Sequence, residues 1–231
     1  MKREEYIKIG KWLGMFCILA IVSSVLVAAK AQAKVYKKGF SYQKLPAHIK
    51  KKIKGVSYRK NPNIKYKDLR YVQVRYYDFA GEVQHGELIV NKKIARKTAQ
   101  IFYELYKIKY PIERMELVDE YGADDEKSMR ANNTSAFNYR TVAGTSRLSK
   151  HALGLAIDIN PRINPYINSK GILTPANAKV YKCRDKQKCK GKYASYMIQP
   201  NSKITKIFKK YGFSWGGDWK NSKDYQHFQM D

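Results

Sequence analysis

Two short segments hold the residues whose types and spacing suit metal chemistry. The first runs Ser149-Lys150-His151-Ala152-Leu153-Gly154-Leu155-Ala156-Ile157-Asp158-Ile159-Asn160. Small and apolar residues separate His151 from Asp158, and Ala156, Ile157 and Ile159 read as a buried strand. A carboxylate inside such a strand is costly unless its charge is compensated. A metal ion would compensate it, and so would a salt bridge in the core. The second segment is Asp224-Tyr225-Gln226-His227-Phe228-Gln229, in which an acid precedes a histidine by three positions. By itself it also reads as a surface strand with a stray histidine.

Together the segments supply two imidazoles, one ligating carboxylate and one spare carboxylate. A catalytic zinc site needs three N or O ligands with one position open to water. It also needs a general base within reach of that water. The chain has no His-Glu-x-x-His helix, so the common zinc-protease motif is absent. The other two histidines, His48 and His85, have no residues at ligand spacing beside them and are read as neither ligands nor catalysts.

The pair of motifs resembles that of the zinc D-alanyl-D-alanine carboxypeptidases, a group that takes in vancomycin-resistance D,D-peptidases and phage L-alanyl-D-glutamate endopeptidases. Ser149, His151, Gly154, Ala156 and Asp158 complete the first motif, and Asp224, His227 and Phe228 the second. The resemblance covers residues 89–231. It implies a hedgehog/DD-peptidase α+β fold, with a central antiparallel sheet and flanking helices. It implies zinc held by His151, Asp158 and His227, with Asp224 as the general base, where many relatives have glutamate. Relatives also carry an arginine upstream that steadies the substrate oxyanion. Arg140 is the choice here and Arg130 the fallback, against the plain alternative of a solvated surface charge. The implied activity is hydrolysis of peptidoglycan stem peptides, by a D-alanyl-D-alanine carboxypeptidase or an L-alanyl-D-glutamate-type endopeptidase. A catalytically silent, metal-stabilised wall-binding module is the competing reading, and the presence of Asp224 argues against it.

The elements that must position these residues are partly readable. Over Tyr71–Phe79, Val72, Val74 and Tyr76 alternate with Gln73 and Arg75, which predicts a half-buried strand. Ala80-Gly81 makes a turn and Val83–Val90 returns, giving a β-hairpin. Asn91 is placed to cap a helix in which Ile94, Ala95, Thr98, Ile101, Phe102 and Leu105 share a face, with Pro111 beyond its end. Further strands are predicted over 114–118 and 135–139, an irregular polar stretch over 122–133, and a helix over 204–211 ended by Gly212. Strands and helices mix without regular alternation, so the fold class is α+β.

Charge and export bound the setting. The 231 residues include 46 Lys+Arg against 19 Asp+Glu, for a net charge of +27. A field of that size attracts polyanions. Residues 1–33 read as an export segment: a basic flank of Lys2, Arg3, Lys8 and Lys11, an apolar run from Trp12 to Ala29, then Ala31-Gln32-Ala33. It is a signal peptide cleaved after Ala33 or, given the length of the run, an uncleaved membrane anchor. Either places the remainder in the periplasm or cell envelope and excludes nucleic acid as partner. Residues 34–67 carry twelve Lys or Arg and no acid, and read as a poorly packed basic lead-in that touches anionic wall or membrane, or simply tethers the peptidase domain of residues 68–231. In an oxidising compartment Cys183 and Cys189 read as a disulfide closing a small loop.

Overall fold

The computed structural model describes residues 32–231. The export segment expected over 1–33 therefore lies outside the described residues but for its last two. Among the described residues no helix is long and apolar enough to cross a membrane.

The lead-in is not a loose tether. Strands β1 (Lys34–Lys37) and β2 (Phe40–Lys44) form an antiparallel hairpin, and helix α1 (Ala47–Ile53) follows. Phe40, Leu45, Ile49, Ile53 and Ile64 are all buried. Ile49 and Ile53 lie one helical turn apart and so share a face. They pack with Leu69, Tyr71, Ile89, Leu117 and Phe137. The lysines that suggested a solvated segment stand on the outer face. Lys50, Lys51 and Lys52 occupy the last turn of α1, where cations suit the helix dipole. Lys52 also pairs with Glu120, and Ser57 donates from its N–H and hydroxyl to Asp119 at 3.1 and 2.8 Å.

The predicted hairpin is present as β3 (Leu69–Tyr77) and β4 (Val83–Asn91), paired from Leu69↔Asn91 to Tyr77↔Val83. With β1 and β2 it makes a four-stranded antiparallel sheet in the order β1-β2-β3-β4. Val72, Val74 and Tyr76 face α2 (Ala95–Lys107) as the alternation requires. The start of β3 is buried on both faces, because Leu69 and Tyr71 meet the α1 side. Asn91 does not cap α2. The cap is Ile94, and Asn91 instead ties the end of β4 to the Gly154 turn.

Residues 114–118 contribute an isolated bridge, Arg114↔Asn133, rather than a strand, and Ser135 bridges Asp158. Within the stretch expected to be irregular, α3 (Asp125–Arg130) forms behind Asp124, whose side chain accepts from the Lys127 N–H at 3.0 Å. An N-terminal carboxylate of this kind satisfies an orphan donor of the first turn.

The C-terminal part is built from much shorter pieces: β5 (Ala156–Asp158), β6 (Tyr166–Ile167), β7 (Leu173–Thr174), α4 (Lys203–Lys210), β8 (Ser214–Trp215), β9 (Lys223–Asp224) and β10 (His227–Gln229). They make two three-stranded antiparallel sheets, β5-β10-β8 and β7-β6-β9. The architecture is thus α+β, with the expected central sheet divided into three. Arg184 gathers the long connection after β5, donating to the carbonyls of Ile163 and Ile198 at 2.9 and 3.0 Å. In the same connection the expected disulfide is absent: Cys183 and Cys189 are free thiols. Cys189 is buried beside Ile163, Tyr181 and Met197 and donates to the Val180 carbonyl at 3.0 Å. Cys183 is exposed, with its thiol directed at the Asp185 carbonyl, so the two thiols have separate acceptors.

Candidate active site

His151, Asp158 and His227 come together because β5 and β10 are antiparallel neighbours with His227 directly opposite Asp158. His151 reaches them from a short 3-10 turn, His151–Leu153, that ends at Gly154 in the left-handed region at φ 65°. A side chain at Gly154 would meet more than the backbone penalty. Its Cβ would lie 2.7 Å from the Asn91 backbone nitrogen. That close approach lets Asn91 N–H donate to the Gly154 carbonyl at 2.8 Å and its side-chain amide donate to the Leu153 carbonyl at 2.9 Å. The turn carrying His151 is thereby fastened to the long β3–β4 hairpin. Asp158 is held by two backbone bonds with Ser135, at 2.9 and 3.1 Å.

The donor atoms converge. His151 Nε2 lies 3.2 Å from Asp158 Oδ2 and 3.2 Å from His227 Nδ1, and His227 Nδ1 lies 3.0 Å from Asp158 Oδ1. All three residues are buried. Each ring is oriented from behind. His151 Nδ1 sits 2.5 Å from the Ala136 carbonyl, and His227 Nε2 sits 3.0 Å from Gln229 Oε1. A carbonyl oxygen only accepts, so the outward nitrogen of each ring carries N–H; the inward nitrogen offers a lone pair in a neutral imidazole, and in protonated His227 it is an N–H that donates to Asp158.

The cluster fits a metal ion. Tetrahedral ligands about 2.0–2.1 Å from zinc stand roughly 3.3 Å apart, close to the spacings observed. Two imidazoles and a carboxylate are a borderline-hard donor set of the kind that zinc accepts. In the absence of a cation the carboxylate and the imidazoles compensate one another. Burial by itself would raise the Asp158 carboxyl, but His151 and His227 outweigh it and hold it well below the usual carboxylate range. Burial acts to lower His227, yet the hydrogen bond and charge of Asp158 dominate and carry it up to about 9.

Asp224 stands apart from the three converging donors. It belongs to β9, opposite Tyr166. Burial pushes its carboxyl up to about 6; His227 pulls it down, and Asp158 adds to the rise. Its Oδ1 is buried with no hydrogen-bond partner among the described residues. Gly216 makes room for this arrangement, since a Cβ there would lie 2.6 Å from the Asp224 carbonyl oxygen and 3.3 Å from His227 Cβ. Of the aromatic turn over 213–219, Trp215 is buried in the core. Trp219 stands beside His227 with ring centroids 5.5 Å apart.

Arg140 is not brought to this cluster. Its guanidinium pairs with Asp125 and touches none of His151, Asp158, Asp224 or His227. The fallback, Arg130, pairs with Glu126 on α3 at 3.1 Å. His85 lies on β4, opposite Arg75, and His48 lies on α1; neither joins a group of converging donors among the described residues. Gln229 is the residue that motif reasoning missed. Its signal was present, because alternate residues of a strand share a face and Gln229 follows His227 by two.

A buried pair of imidazoles and a carboxylate, backed by outward acceptors and flanked by a separate carboxyl with a raised pKa, is a group that could hold a metal ion. Residues 143–230 match the family model described as D-alanyl-D-alanine carboxypeptidase. That segment contains all four residues and is similar to this family of peptidases. No curated protein and no solved structure matches the chain.

Proposed function

We propose that the chain is a zinc metallopeptidase that hydrolyses peptidoglycan stem peptides, acting as a D-alanyl-D-alanine carboxypeptidase. The observation that carries this reading is the convergence of His151 Nε2, His227 Nδ1 and the Asp158 carboxylate beside a fourth, separate carboxyl. Those three residues hold the ion. Zinc in such a site supplies Lewis-acid chemistry, polarising a carbonyl and lowering the pKa of water to about 7.

Asp224 is the general base. Its unpartnered Oδ1 accepts a proton from the attacking water, and the same carboxyl then delivers that proton to the leaving amine. Burial raises this carboxyl above the usual carboxylate range, which favours its holding the proton during turnover. Trp219 walls one side of His227 and limits water there. Arg140 is engaged by Asp125, so a part in stabilising the oxyanion requires it to leave that pair.

The same reading assigns the chain the hedgehog/DD-peptidase fold and a place outside the cytoplasmic membrane, delivered by residues 1–33. The lysines on the outer side of α1 support contact with anionic wall or membrane. The test is incubation with defined muropeptides, with and without chelator, and mass spectrometry of the products. Chelator-sensitive loss of the terminal D-alanine is the expected result. Cleavage between L-alanine and D-glutamate would move the activity to the endopeptidase branch, and no cleavage by zinc-loaded protein would overturn the reading.

A further inference from the structure

We propose that Gln229 is a positioning residue that sets which nitrogen of His227 faces the metal; this rests on the zinc reading above. The strand geometry makes it available. On β10 the side chains of His227 and Gln229 share a face, while Phe228 points the other way and stacks on Phe208 with ring centroids 3.9 Å apart. The backbone of Gln229 is fixed on both sides, opposite Ala156 on β5 and Ser214 on β8. Its Oε1 therefore reaches His227 Nε2, at 3.0 Å, from a well-anchored position.

A neutral imidazole has one N–H and one lone pair. An acceptor at Nε2 selects the tautomer with hydrogen there and leaves the Nδ1 lone pair facing Asp158 Oδ1 and His151 Nε2. Outer partners of this kind orient ligating histidines and commonly change metal affinity 10–100-fold when removed. The other ring is fixed by the backbone carbonyl of Ala136, so Gln229 is where a side-chain substitution reaches this layer. Its neutrality also has a consequence. Asp158 and Asp224 already place two carboxyls beside His227, and an amide orients the ring without adding a third.

Zinc affinity, measured by competition with a chromophoric chelator, tests this without reference to turnover. Gln229→Leu should bind zinc about 10–100-fold more weakly than the parent. Gln229→Glu, which keeps an acceptor oxygen, should restore affinity to within a few-fold. Metal-free melting curves establish that each variant folds; if Gln229→Leu does not, Gln229→Met, unbranched and of similar length, replaces it. Long-range proton–nitrogen spectra of the zinc-loaded parent should show the His227 hydrogen on Nε2. If the parent binds zinc and Gln229→Leu binds it equally well, or if Gln229→Glu falls as far as Gln229→Leu, the inference is overturned while the zinc reading stands. If the parent itself binds no zinc, the zinc reading fails and this inference fails with it.

Discussion

The β1–β4 sheet and the β5-β10-β8 sheet are built on opposite terms. In the first, β3 and β4 are nine residues each and pair along their whole length. Its interior is aliphatic and aromatic, and none of the converging polar residues lies on it. In the second, the strands are two or three residues long, yet they carry a buried carboxylate and a buried imidazole. Strands that short do not stand alone. They are held by attachments to the larger sheet: Asn91 to the Gly154 turn, Phe137 N–H to the Ile89 carbonyl at 3.1 Å, and Ile157 and Phe228 in the shared core. The regular region supplies rigidity, and the irregular region spends it on a polar cluster that a hydrophobic core would not tolerate unaided.

Separating the two regions by substitution gives the largest effects. Asp158→Ala should lose bound zinc and reduce turnover to background, while the β1–β4 sheet keeps its circular-dichroism signature. Retention of zinc in that variant would break the assignment of the metal to β5 and β10. In the other region, Ile53→Ala removes a fully buried side chain at the junction of α1 with β3 and should cost about 2–5 kcal/mol in denaturant unfolding. A change under about 0.5 kcal/mol, as for surface substitutions, would return residues 34–67 to the status of a tether.

A smaller effect sharpens the contrast through pH. In metal-free protein His227 is raised to about 9 from an unfolded value near 6.5. The folded state therefore binds the proton more tightly, and this contribution to stability is fully present below about 6.5. It is lost as pH rises through about 9. Asp158, held low, is ionised across that window, and Asp224, near 6, completes its ionisation at the lower edge, where it adds to the fall. The melting temperature of chelated protein should accordingly fall between those pH values, and His227→Gln should flatten the slope. An unchanged slope in His227→Gln would show that the Asp158 contact does not set it. The least effect is expected at Arg140. Because its guanidinium is engaged by Asp125, Arg140→Ala should lower turnover less than tenfold. A loss of about 10²–10³ would mark it as an oxyanion partner.

The same contrast explains what could be read from the chain. The β3–β4 hairpin, α2 and α4 follow apolar periodicity, and their positions are legible from it. The cluster of His151, Asp158 and His227 is legible for a different reason: chemistry restricts residue type, so two motifs distant in sequence announce one site. The fold of residues 34–67 was obscured by twelve basic residues that lie outside, although Leu45, Ile49 and Ile53 recur every four positions. Charge there reports the surface and says little about the face beneath it. Order along the chain points to Arg140, whereas its partner Asp125 sits on α3, a helix hidden in a polar stretch. Compartment and count suggest a cysteine pair, but the orientation of each thiol depends on the tertiary packing of the loop.

The central claim is a division of labour between two carboxylates, and zinc content with muropeptide kinetics on Asp224→Asn tests it most directly. An amide there cannot accept a proton. The account predicts unchanged zinc, an unchanged fold and a kcat lower by about 10²–10⁴-fold, with KM little altered. Near-normal turnover would contradict Asp224 as the base, and loss of zinc would move Asp224 among the ligands and undo the division between it and Asp158.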